Sequence, residues 1–169
     1  MITNPKIIKL KKIVDNRGYF IKIFQSKIFK NYEIKEQFIT QSKKNVFRGF
    51  HFQDGKYDVD KLVFCVEGEV LDIVININKN SIFFGTEKKF KLTGVDNKIL
   101  FIPKKHAHGF LCLSRKCTLL YMYNKNYNQK FDKGILFNRE KLIKKYPKLI
   151  ISNRDKSFPS FKNYFSIIK

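Results

Sequence analysis

The sequence predicts a mainly β protein: a jelly-roll β-barrel or sandwich with a few short helices. Three observations predict it. Apolar and polar residues alternate with period 2 through most of the 169 residues. Turn residues punctuate these runs at Asn16–Gly18, Gly55, Gly68, Asp96–Asn97 and Pro103. Helical spacing is confined to two short patches. Many short strands with few helices bury their apolar faces by stacking two sheets or closing one.

In chain order, "KIIKLKKIVD" (6–15) and "YFIKIF" (19–24) read as strands around the Asn16–Gly18 turn. "SKIFKNY" (26–32) reads as a short helix. "NVFRGFHFQ" (45–53) is a strand on which strict alternation sets Phe47, Gly49, His51 and Gln53 on one face and Arg48, Phe50 and Phe52 on the other. Gly49 would leave room for a ligand to approach the backbone. "KLVFCVEGEVLDIVINI" (61–77) reads as two strands about a tight Glu67–Gly68 hairpin. On the second strand Leu71, Ile73, Ile75 and Ile77 form an apolar face, expected to pack on another sheet. Val70, Asp72, Val74 and Asn76 form a mixed face, suited to a barrel interior that is part core and part polar pocket. "EKKFKLTG", "KILFIP", "GFLCL" and "TLLYMYN" supply further strands. "REKLIKKY" (139–146) reads as a helix with Asn138 as N-cap and Pro147 as its stop. "PSFKNYFSIIK" looks like a tail that needs docking.

The length and an apolar fraction of 43% fit one domain over 1–169, with a core of about residues 10–160. There is no internal repeat, no linker and no apolar run long enough to span a bilayer. Lysines interrupt the N-terminal segment, so it does not read as a signal peptide. Cys65, Cys112 and Cys117 are odd in number and at no metal spacing, as expected of free thiols in a reducing cytoplasm. The net charge of +21 raises nucleic-acid binding, but only five of the 35 basic residues are arginine, and the lysines are spread from end to end. A solvated basic surface that attracts a small polyanion fits better.

Several motifs recur in order: "DNRG" (15–18), "RGFHFQ" (48–53), "KLVFCVEGEVLDI" (61–73), "NSIFFG" (80–85), "IPKKHAHGF" (102–110), "LLYMYNKNYN" (119–128), "GILFN" (134–138) and "ISNRD" (151–155). At these spacings the chain resembles the dTDP-4-dehydrorhamnose 3,5-epimerase family of cupin-type isomerases. The resemblance implies a cupin-type jelly roll, a homodimer with exchanged N-terminal strands, no metal and no cofactor. It also implies a nucleotide-linked 4-keto-6-deoxy sugar as substrate, inverted beside its ketone, in the supply of surface polysaccharide.

Carried over by position, His51 is the base and Asp155 its carboxylate partner, with Asn153 as the alternative. Lys61 faces the keto oxygen and Tyr121 is the proton donor across the ring. Arg17, Arg48, Gln53, His108, Asp72, Phe20 and Lys22 fall at substrate-binding positions. The chemistry needs these types. A C–H beside a ketone gives an enolate, and inversion requires a base on one face and an acid on the other. Histidine accepts a proton at neutral pH, and a carboxylate on its second nitrogen fixes the tautomer. An ammonium opposes charge at the enolate oxygen. Apart from the resemblance, Lys61 would be a surface strand-end lysine, Tyr121 a core tyrosine and Asp155 a turn or cap residue.

Some residues depart from the family pattern. Lys22 stands where glutamate is common, and "EQFITQSKK" lacks the usual Gln–x–Asn. Asn76 and Asn78 replace an Asp and an Arg, Arg139 replaces an Asp, and Tyr146–Pro147 replaces Trp–Pro. These leave the nucleotide open, and whether one carbon or two is inverted. A one-position epimerase, a 3,4-ketoisomerase, a metal cupin using His106 and His108, and a non-catalytic sugar-binding barrel are the alternatives.

Overall fold

A computed structural model describes residues 4–167. Its strands are β1 (Lys6–Lys9), β2 (Lys12–Asp15), β3 (Gly18–Ile21), β4 (Glu36–Lys43), β5 (Val46–Gln53), β6 (Lys61–Glu67), β7 (Glu69–Asn76), β8 (Glu87–Thr93), β9 (Lys98–Ile102), β10 (His106–Cys112), β11 (Lys116–Tyr123) and β12 (Asp132–Gly134). Then come α1 (Arg139–Lys145), β13 (Ile150–Ile151), α2 (Asn153–Lys156) and α3 (Phe161–Ile167). One sheet runs β1-β9-β6-β11-β4 and the other β12-β5-β10-β7-β8, with β13 beside β5; β2 and β3 form a separate hairpin. The predicted mainly β, jelly-roll architecture is present.

Between the sheets lies a core of Val63, Val70, Val74, Leu100, Phe110 and Leu119, with all three cysteines as free thiols. The mixed face of β7 points into this interior, as expected. Its apolar face does not meet another sheet. Ile73, Ile75 and Ile77 join Phe47, Phe50 and Phe52 in an outer layer roofed by Leu142, Tyr146, Phe161, Tyr164 and Phe165. The C-terminal tail is thus a docked helical cover over what would otherwise be an exposed apolar patch.

Several local expectations are corrected. β6 and β7 are not a hairpin: they belong to different sheets, and Gly68 (φ 81°) is the corner between them. A Cβ there would lie 2.1 Å from the Lys116 carbonyl oxygen, so close passage of the β11 backbone selects glycine. Residues 6–15 split into two strands because Leu10 turns inward and its N–H donates to the Asn97 carbonyl. Residues 26–32 form turns closed by Asn31 in the left-handed region, too short a run to sustain a helix; Phe29 and Tyr32 pack there with Phe24. Asn138 precedes α1 in the left-handed region with no side-chain cap bond. β4, β12, β13, α2 and α3 were not foreseen.

The consequential correction concerns β5. Its register with β10 shifts between His108↔His51 and Phe110↔Arg48, a bulge that inserts one residue at Gly49–Phe50. The phase therefore flips within the strand. Phe47, Phe50 and Phe52 all face the outer layer, while Arg48, His51 and Gln53 all face the barrel interior. Gly49 (φ 142°) does not receive a ligand: a Cβ there would sit 2.5 Å from the Gly109 Cα. Gly49→Ala should lower stability by at least about 1 kcal/mol, read as a fall in the urea midpoint. An unchanged midpoint would show that the bulge does not depend on glycine.

Candidate active site

The barrel holds a partly open cavity of about 340 Å³. Arg48, His51, Gln53 and His108 reach it from the six-stranded sheet; Lys61, Tyr121 and Tyr123 reach it from the five-stranded sheet. Residues far apart in sequence are brought here by alternation along paired strands. β10 lies across β5, and β11 lies between β6 and β4.

His51 is held by the C-terminal segment. Its Nε2 is hydrogen-bonded to Asp155 Oδ1 at 3.0 Å, while Asp155 Oδ2 accepts the Gly49 N–H at 3.0 Å. Asp155 lies in the first turn of α2, where its N–H donates to the Ser152 hydroxyl. Burial pulls the Asp155 carboxyl upward, but the bonds from His51 and the Gly49 N–H outweigh it and hold the group below its ordinary value. Asp155, not Asn153, is therefore the partner of His51. The imidazole is about a third exposed and meets the Phe158 ring edge-on at 5.5 Å. Nδ1 is the nitrogen left to exchange a proton.

Lys61 is buried, and its Nζ donates to the His51 carbonyl at 3.2 Å. Burial lowers its pKa to about 8, against the attraction of Asp132, Asp72 and Asp58. Tyr121 is only 4% exposed. Its ring stacks on Phe38 at 5.0 Å and meets the edges of His108 at 5.9 Å and Tyr123 at 6.2 Å. Burial, then the nearby Asp72 carboxylate, push its hydroxyl well above the usual phenol value.

Arg48 lines the cavity, tethered by Nε to the Ser42 hydroxyl and by Nη2 to the Gln41 carbonyl. Gln53 is in the wall, but its amide is committed to the Tyr57, Asn126 and Asn128 backbone. Asp72 is not at the wall. It is fully buried behind His108, with Oδ2 2.7 Å from Nε2, which makes it a support for that ring. Arg17, Phe20 and Lys22 do not line the cavity of their own chain. They lie on or beside the exposed β2–β3 hairpin, where Arg17 pairs with Asp15 at 2.5 Å. His106, the other histidine of "HAHGF", is bonded through Nδ1 to the Pro103 and Lys104 carbonyls. Among the described residues no group of three or more His, Cys, Asp or Glu is set to hold a metal.

Sequence reasoning missed Glu36, Phe38, Thr40, Tyr123, Tyr127 and Asp132 in the wall. Tyr123 was within reach, being two residues from Tyr121 and so on the same face. Glu36, Phe38 and Thr40 required β4 to be read as a strand. Asp132 accepts from Tyr127 at 3.1 Å and from Arg154 at 2.5 Å, which fastens the cavity mouth to α2.

Comparisons with known proteins agree with this geometry. The family model described as dTDP-4-dehydrorhamnose 3,5-epimerase matches residues 1–163. The dTDP-4-dehydrorhamnose 3,5-epimerase of Escherichia coli K12 is 35% identical over 162 residues, covering 91% of this chain and 88% of that one. The crystal structure of the Elizabethkingia anophelis enzyme of the same name matches with a TM-score of 0.86 at 30% identity, covering 95% of this chain and 93% of that one. A Legionella pneumophila dTDP-6-deoxy-D-glucose-3,5-epimerase in complex with dTDP-4-keto-L-rhamnose matches with a TM-score of 0.86 at 28% identity, covering 98% and 89%.

The burial of Lys61 has a measurable consequence for stability. Its folded pKa is about 8, whereas an unfolded lysine titrates near 10.4. Between these values the unfolded chain binds more protons, so this group makes stability rise with pH. Lys61→Met should remove that part of the rise and stabilise the fold at pH 7 by on the order of 1–3 kcal/mol. Urea midpoints of both proteins from pH 7 to 10 test it. Parallel curves would show that Lys61 is not strained by burial.

Proposed function

The chain belongs to the dTDP-4-dehydrorhamnose 3,5-epimerase family, and from that premise we propose that its barrel cavity inverts a nucleotide-linked 4-keto-6-deoxy sugar by proton transfer across the ring. It is an isomerase that epimerises a nucleotide sugar. One observation carries the assignment of roles. His51 and Tyr121 enter a single cavity from opposite sheets, with the Lys61 ammonium beside them.

His51 removes the proton from the carbon next to the ketone through Nδ1, and Asp155 balances the imidazolium that forms. Electron density moves to the keto oxygen. Lys61, whose ammonium is desolvated and holds its proton loosely, opposes that charge or shares the proton with it. Tyr121 then protonates the opposite face of the carbon. Arg48 offers a fixed fork for phosphate or sugar oxygens. Nothing in this scheme calls for a metal or cofactor. The three free cysteines fit a reducing cytoplasmic setting.

The hairpin explains why Arg17, Phe20 and Lys22 sit away from their own cavity. Ile13, Val14, Tyr19 and Phe20 are exposed on it, an apolar projection that a second copy would cover. In the proposed homodimer this N-terminal arm completes the partner's site. Lys22 then alters the charge at the nucleotide end, so dTDP is the reference substrate and the base specificity is this chain's own.

Two experiments test the proposal. Proton-exchange NMR in deuterated buffer, with dTDP-4-keto-6-deoxyglucose as probe, scores deuterium and configuration separately. His51→Ala should suppress both by roughly 10²–10⁴-fold. Tyr121→Phe should leave deuterium entering on the face of His51 while inverted product becomes scarce, and Lys61→Ala should slow both. If Tyr121→Phe abolishes exchange as fully as His51→Ala in a folded protein, the division of roles is wrong.

The second experiment co-expresses Arg17→Ala and His51→Ala chains, each weak alone. Mixed dimers would hold one intact site of two and form half the population, which restores about a quarter of native activity. No recovery from verified mixed dimers would mean that Arg17 serves its own cavity or none.

A further inference from the structure

Two histidines line the cavity, each backed by an aspartate, and the scheme above uses only one of these pairs. His108 stands directly across the ladder from His51, on the neighbouring strand of the same sheet. Its Nε2–H donates to Asp72 Oδ2 at 2.7 Å, and the side chain is nearly closed to solvent. Asp72 is fully buried, and its other oxygen, Oδ1, has no hydrogen-bond partner. With Nε2 committed to Asp72, Nδ1 is the ring nitrogen left to take up or release a proton.

Inversion creates a need for such a proton. After each event His51 holds one proton too many and Tyr121 one too few. His51 is partly open to solvent, but Tyr121 is enclosed and its hydroxyl makes no hydrogen bond among the described residues. Three rings touch it: Phe38, Tyr123 and His108. Phe38 has no acidic proton, and Tyr123 holds its own too tightly, because burial raises its pKa. Arg48 lies in the same wall but does not release a proton. Lys61 sits two residues further along the ladder, against Tyr123. His108 alone combines contact with Tyr121, a ring nitrogen that can take up and release a proton, and a place opposite His51 on the paired strand.

We propose that His108, held by Asp72, reloads Tyr121 with a proton after each inversion; this rests on Tyr121 being the acid. The His108 Nδ1–H bond breaks as the Tyr121 O–H bond forms, which leaves neutral imidazole still donating Nε2–H to Asp72. The surplus proton on His51 is the one supplied to His108 Nδ1, so His51, His108 and Tyr121 all return to their starting states with no net gain or loss. Asp72 is a positioning residue in this cycle and does not touch the sugar.

The test uses the full-length protein and rapid-quench measurement of inversion with dTDP-4-keto-6-deoxyglucose. His108→Gln keeps a donor for Asp72 but cannot carry a proton. It should give a burst of up to one inversion per site, slowed far less than the later turnovers, which should fall by roughly 10²-fold. Added imidazole should restore the later turnovers. Equal slowing of the first and later inversions would place His108 in binding or chemistry instead, and unchanged turnover would show that solvent reloads Tyr121; either overturns the proposal. If His108→Gln does not fold, ¹⁵N NMR of the native protein decides. An Nδ1 on His108 that takes up a proton reversibly in the folded protein supports the relay, and one that stays unprotonated down to acid unfolding refutes it. Failure of the native protein to exchange or invert any nucleotide 4-keto sugar would instead refute the parent assignment of function.

Discussion

The Asp155 carboxylate ties together the parts of this molecule that matter most. One oxygen holds His51, 104 residues away in sequence, and the other holds the N–H of Gly49 within the bulge. The bulge itself turns Arg48 and His51 to the same side of the sheet. A single charged group thus sets the position of the C-terminal segment, the local path of β5 and the tautomer of its imidazole. The roof of aromatic and aliphatic side chains over the outer layer supplies the burial that keeps this segment docked.

The interior is arranged against its own stability. Lys61 and Asp72 are ionisable groups drawn into the barrel, and Asp155 is buried against its outer layer, in places that hydrophobic residues would fill more favourably. Each has a distinct compensation: Asp155 takes two charge-assisted bonds, Asp72 takes one, and Lys61 has a carbonyl and distant carboxylates. The least compensated, Lys61, is the group proposed to meet transient negative charge. A pocket already satisfied in its resting state would have little left to give to an enolate.

The surface works on a different scale. Pairs such as Lys89–Glu87 and Lys91–Glu69 are solvent-exposed and contribute about 0–1 kcal/mol each. The large positive excess instead creates a long-range field favourable to a diphosphate-linked ligand. Arg48 and Lys61 continue that field into the cavity, where short-range geometry takes over.

Composition and period-2 alternation determined the β class and most strand positions, because alternation is a local property of an extended chain. The ordered motifs also carried His51, Lys61, Tyr121 and Asp155. What alternation could not express was any event that depends on a second segment. The bulge that reverses the phase of β5 exists because Gly109 passes beside Gly49. The Gly68 corner looked like a hairpin because a turn between two apolar runs reads the same whether they pair or part. The alternation of β4 is weak in hydrophobic contrast, because Thr40 faces the cavity and only Phe38 on that face also packs on the core. The choice of Asp155 over Asn153, the retreat of Asp72 behind His108 and the separation of Arg17, Phe20 and Lys22 from their own cavity were settled by tertiary structure alone. Each depends on distances between strands, and no single strand encodes its neighbours' positions.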